Sequence, residues 1–92
     1  MLNLTEIQKE MEKLNGWSFE MDSIVKDFRF SSFSESKSFV SKVAAMAELS
    51  SHFPSITWDN LFIRIALTTR GQKCVTEADF KLAEEIDKVY KQ

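Results

Sequence analysis

One cysteine, one proline, one histidine and two glycines in 92 residues leave this chain few special parts, and each scarcity excludes something. Cys74 has no second cysteine to bond, so an internal disulfide is ruled out. One cysteine with one histidine also falls short of the three or four N/S ligands that zinc usually takes, and no metal site is expected. No stretch approaches the ~18 consecutive apolar residues that would cross a membrane. The opening MLNLTEIQKEMEKLNG is charged where a secretory signal must be apolar. A soluble, cytoplasmic protein without membrane contact is the expectation. Net charge is only -2, and Lys9, Lys26, Arg29, Lys42, Arg64, Lys73 and Lys88 are scattered rather than striped, which argues against direct nucleic-acid binding. Glycine-rich phosphate loops, H-E-x-x-H and C-x-x-C are all missing.

What is present is apolar mass. With 43% hydrophobic residues, 8 Phe and 2 Trp, residues 1–92 can bury the core of a single domain. A chain this short buries a modest share of its surface, so a homodimer or homotetramer is expected, held by Phe39, Val43 and Met46 or by a sheet edge.

Leu4, Ile7, Met11 and Leu14 recur at helical spacing behind Thr5, with Gln8 completing a capping box. Asn15-Gly16 ends that helix. Trp17, Phe19 and Met21 alternate as a strand, Asp22-Ser23 turns, and Ile24 to Phe30 returns with Ile24, Lys26, Phe28 and Phe30 on one face. The serine-rich patch before Phe39 reads as a helix start rather than a modification cluster, with Ser32 and Glu35 forming a second capping box. The helix it opens carries Phe39, Val43, Met46 and Ala47. Leu61 to Thr69 forms one long strand, Arg70-Gly71-Gln72-Lys73 a turn, and Thr76-x-x-Asp79 opens a last helix striped by Phe80, Ala83, Ile86, Val89 and Tyr90. Helix, two strands, helix, strand, helix implies an α+β fold: a small antiparallel or mixed sheet with helices packed on one face.

The candidate site lies in Ala47 to Asp79. Pro54 forbids the second helix from continuing, leaving His52 at its end. Glu48 stands four residues earlier, where its carboxylate could orient the imidazole, and the negative end of the helix dipole favours a cation there. Two readings of His52 stay open, an acid–base group and a helix cap donating to a free carbonyl. Asp79 likewise reads either as a site residue or as a cap for the last helix.

The chain resembles the pterin-4a-carbinolamine dehydratases, also called dimerisation cofactors of a hepatocyte homeodomain transcription factor. The resemblance runs through Gly16-Trp17, Phe28-Arg29-Phe30, Ala47-Glu48-x-x-x-His52-x-Pro54, Leu67-Thr68-Thr69, Val75-Thr76-x-x-Asp79 and Leu82-Ala83. It implies a short sheet with helices on one face, and dimers or tetramers formed through strand edges and the long helix. It also implies removal of water from a 4a-hydroxytetrahydropterin to give the quinonoid dihydropterin, the pterin being substrate and no cofactor being used. By the same resemblance His52 is the catalytic residue, and Glu48, Phe53, Pro54, Arg70 and Asp79 are the substrate-binding positions. Family enzymes carry a second histidine where Phe53 stands, a third where Arg70 stands, and an aromatic where Asn60 stands. The alternative is therefore a non-catalytic dimerisation or binding module, an assembly or transcription partner with a protein ligand.

Overall fold

In the computed structural model, which describes residues 2–71 and 74–90, the order is α1 (Leu4–Glu12), β1 (Ser18–Glu20), β2 (Ser23–Arg29), α2 (Phe33–Ser50), β3 (Ser55–Asp59), β4 (Phe62–Leu67) and α3 (Glu77–Tyr90). The four strands form one wholly antiparallel sheet in the order β1-β2-β4-β3. Alternation sets its two faces. Ile24 and Phe28 of β2 and Ile63, Ile65 and Leu67 of β4 are fully buried beneath the helices, whereas Asp27, Arg29 and Arg64 lie on the open side. Val43 from α2, Ala83 and Ile86 from α3 and Ile7 from α1 close the core over that apolar face.

Lys26 shares the core face of β2, as the alternation predicts, and its buried stem escapes to the rim. Its ammonium donates to Asp87 Oδ1 and to the Asn15 carbonyl, both at 2.8 Å, while the Trp17 indole N–H donates to the same carboxylate at 3.0 Å. One acid on α3 thus holds both the end of the first helical segment and the start of the hairpin.

Several boundaries differ from the sequence reading for local reasons. Asn3, not Thr5, caps α1, in a capping box completed by Glu6 rather than Gln8. The first hairpin turns at Met21-Asp22, both at positive φ, because Glu20 pairs with Ser23 and leaves two residues for the loop. Ser55–Asp59 is a strand that the hydrophobic pattern did not announce. As an edge strand it sends only Ile56 and Trp58 towards the core side, and Asn60 at φ 56° turns it directly into β4. Phe39 and Val43 are sealed inside this chain's own core, with Val43 fully buried, so neither can hold a second subunit. Gln72 and Lys73 of the expected turn lie outside the described residues.

Candidate active site

The end of α2 decides where the histidine goes. Ser51 takes the left-handed conformation (φ 54°, ψ 34°), and its N–H and that of His52 fold back onto the last helical carbonyls, at 3.2 Å for His52 N to Ala47 O. The helix therefore stops two residues before His52, and Pro54 biases Phe53 away from helical conformation as well. Glu48 and His52 consequently do not share a helical face. Glu48 stays exposed on the last turn, and among the described residues no hydrogen bond or ion pair joins it to the ring.

The ring turns instead to the start of α3, where His52 Nε2 is hydrogen-bonded to Asp79 Oδ1. Asp79 is completely buried and the His52 side chain is 16% exposed. The other carboxylate oxygen is fully engaged. Oδ2 accepts the Thr76 backbone N–H at 2.9 Å and the Thr69 hydroxyl at 2.7 Å, and the Thr69 and Thr76 hydroxyls meet at 2.8 Å. Asp79 thus caps the helix start through one oxygen and grips the imidazole through the other.

Burying a charged or polar group is tolerable only with such partners, and here they come from three elements. Thr69 lies two residues past the end of β4, Thr76 immediately precedes α3 and Asp79 stands in its first turn, and the turn after α2 supplies His52. Thr69 N–H also donates to Cys74 O at 3.0 Å, bridging the two ends of the intervening turn. The threonine hydroxyls were the part that patterning missed. Thr76 was legible as a helix start, but nothing in spacing alone brings Thr69 to it.

Of the other sequence candidates, Phe53 is 57% exposed beside His52, Pro54 is half-buried, and Arg70 is exposed immediately after Thr69. Phe53 directly follows His52, and Arg70 directly follows Thr69, which hydrogen-bonds Asp79. A cleft of about 500 Å³ opens at His52 between the end of α2 and α3, lined among others by Met46, Leu49, Ala78, Lys81 and Glu85. No metal-binding cluster of His, Cys, Asp and Glu occurs among the described residues. Chemically the arrangement offers one imidazole with one ring nitrogen committed.

Similarity to known proteins runs over nearly the whole chain. The family model described as Pterin 4 alpha carbinolamine dehydratase matches residues 1–89. A protein of Christiangramia forsetii, provisionally named a pterin-4-alpha-carbinolamine dehydratase, is 37% identical over 90 residues, covering 96% of this chain and 91% of its own length. A Sulfolobus acidocaldarius protein with the same provisional name is 34% identical over 88 residues, covering 96% and 97%. The crystal structure of a Brucella melitensis protein, described as a transcriptional coactivator/pterin dehydratase, superposes with a TM-score of 0.93 at 26% identity over 97% of both chains. A pterin dehydratase-like protein identified as a RuBisCO assembly factor in the alpha-carboxysome superposes at 0.68, covering 80% of this chain and 86% of that one; its 21% identity makes the likeness one of fold.

Proposed function

Because the chain belongs to the pterin-4a-carbinolamine dehydratase family, we propose that it dehydrates a 4a-hydroxytetrahydropterin to the quinonoid dihydropterin, through a site reduced to a single histidine. In that reaction the C4a–oxygen bond breaks with its electrons on oxygen, which takes up a proton and leaves as water. The neighbouring ring nitrogen gives up its proton, and the freed pair forms the new C=N bond. One proton enters and one departs, so the reaction needs no redox partner, and the pterin is substrate rather than cofactor. Positioned acid and base groups are each worth ~10² to 10⁴ in rate.

The observation that carries this reading is the buried Asp79 gripping His52. A histidine that merely capped α2 would need no such partner, whereas an acid–base imidazole needs a fixed orientation and a counter-charge when protonated. Phe53 is suited to wall in or stack on a flat heterocycle. Arg70 cannot act as a base, but it can donate hydrogen bonds to a pterin oxygen. Glu48 and Pro54 complete the substrate-binding set at the family's positions. The lone thiol of Cys74 fits a reducing, cytoplasmic setting, and the open edge of β3 fits a homodimer or homotetramer.

One observation favours a second reading. Phe53 and Arg70 occupy both positions where family enzymes carry further histidines, so the fold could serve as a non-catalytic module that binds a pterin or a protein. Pterin binding by titration calorimetry, run beside stopped-flow dehydration, separates the two. Turnover above the buffer rate supports the enzyme, and binding without turnover supports the module.

A further inference from the structure

Which atom of His52 meets the substrate follows from counting donors around Asp79. Oδ2 is occupied by two of them, the Thr76 backbone N–H and the Thr69 hydroxyl. Since the Thr69 hydroxyl gives its only proton to Asp79, the 2.8 Å contact between the two threonines requires Thr76 to donate to Thr69. The chain of donors runs one way, from Thr76 through Thr69 into the carboxylate. Among the described residues Oδ1 is hydrogen-bonded only to the imidazole, at Nε2. The proton between those two atoms is enclosed, because Asp79 is wholly buried.

The remaining ring nitrogen is different. Among the described residues Nδ1 has no hydrogen-bond partner, yet no buried side-chain nitrogen or oxygen is left without one. Among the described residues, then, Nδ1 is neither hydrogen-bonded nor sealed in the interior, on a side chain that is 16% exposed.

We infer that the reacting proton is exchanged at His52 Nδ1, and that Thr69 is a positioning residue which holds Asp79 so that Nε2 keeps its proton. The functional half of this inference rests on the dehydratase reading; the assignment of the proton does not. With Nε2–H pinned to the carboxylate, the neutral ring presents a bare Nδ1 and acts first as a base. The imidazolium it becomes keeps Asp79 as counter-ion and can return the proton from the same atom to a leaving oxygen. Thr69 touches neither substrate nor ring, and acts only through the carboxylate.

The single histidine makes the test clean. Long-range ¹⁵N–¹H NMR of the uniformly labelled protein, at a pH where the ring is neutral and with no pterin present, reads which nitrogen bears the proton. The expected result is Nε2–H in excess over Nδ1–H by roughly ten- to a hundredfold, the ratio supplied by a hydrogen bond to a charged group. A majority of Nδ1–H in the unsubstituted protein overturns the inference whatever the activity.

Asp79→Asn gives a sharper reading. The side-chain atom at the Oδ2 position must still accept from Thr76 N–H and Thr69, so the amide NH₂ is forced to face Nε2. The proton should then move to Nδ1, and retention of Nε2–H in that variant contradicts the account. Thr69→Val should raise the Nδ1–H share several-fold and Thr69→Ser should restore the original spectrum. No change in the valine variant removes Thr69 from the mechanism. Absence of dehydratase activity in the unsubstituted protein, by contrast, sinks the functional reading and leaves the proton assignment standing.

Discussion

Phe53 and Arg70 stand where the family's enzymes carry two more histidines, next in sequence to His52 and to the Thr69 that hydrogen-bonds Asp79. If the fold still aims those positions at a pterin, Phe53→His with Arg70→His should raise the dehydration rate by ~10² or more per restored acid or base group. That corresponds to ~3 kcal/mol each at 1.36 kcal/mol per tenfold. The two changes together should exceed the sum of their separate effects, because catalytic groups that act as a unit lose most of their value singly. A folded double variant no faster than the original in stopped flow shows that Phe53 and Arg70 are not vacancies in an older site. The residues of the pair were legible in the sequence, His52 and Asp79 each standing out by type and setting. Their pairing was not. The i, i+4 rule pointed His52 at Glu48, and only the left-handed Ser51 breaks that geometry.

At the level of elements, that same Ser51 is both a strained residue and the device that aims the histidine. A left-handed non-glycine residue costs ~1–2 kcal/mol, so Ser51→Gly should raise stability by about 0.5–1 kcal/mol, part of the relief being offset by a freer unfolded chain. Ser51→Val should lower it, as read from the urea midpoint. If Gly proves no better than Val, the turn after α2 is not as described.

Gly16 is the opposite case. Its φ of 86° and the 3.0 Å approach of an added Cβ to Lys26 Cε set Gly16→Ala against both backbone and the lysine that Asp87 holds. A loss of ~1–2 kcal/mol is expected from the left-handed backbone alone, and an unchanged thermal midpoint would argue against that latch. Helices and the first hairpin were readable because helical spacing, Asn15-Gly16 and the alternation of Ile24 and Phe28 are local signals, whereas the cap of α1 and the hairpin turn each fell one or two residues from the expected place. β3 was not, because an edge strand with two inward side chains carries too short an alternation to stand apart from a loop.

Considered whole, the molecule has helices on one face of the sheet and leaves the other uncovered, crossed between β2 and β4 by the Asp27–Arg64 pair at 2.8 Å. The hydrogen bond from Arg64 holds the Asp27 carboxyl below its ordinary value of 3.8. A carboxylate whose folded value is depressed stabilises the fold above its unfolded pKa and loses that contribution as pH falls through the folded one. The pair should thus matter at neutral pH and fade below about pH 4, and both groups being exposed, added salt should weaken it further.

The open side and the β3 edge also bear on assembly. With Phe39 and Val43 sealed in the core, the half-buried Met46 and the sheet edge, where Trp58 stacks on Phe33 at 5.2 Å between ring centroids, are what remain of the expected self-association surfaces. A dimer or larger species is expected by light scattering at micromolar concentration, with Thr57→Pro on the edge strand shifting it towards monomer. Persistence of the assembly in that variant would place the interface elsewhere.

The account turns on one imidazole, so its most direct test is the dehydration of a 4a-hydroxytetrahydropterin followed by stopped flow for the original chain, for His52→Gln and for buffer alone. We predict that the original chain exceeds buffer, and that His52→Gln loses up to ~10²–10⁴ of the enhancement, towards the buffer rate. An original chain indistinguishable from buffer, or a His52→Gln variant as fast as the original, would contradict it.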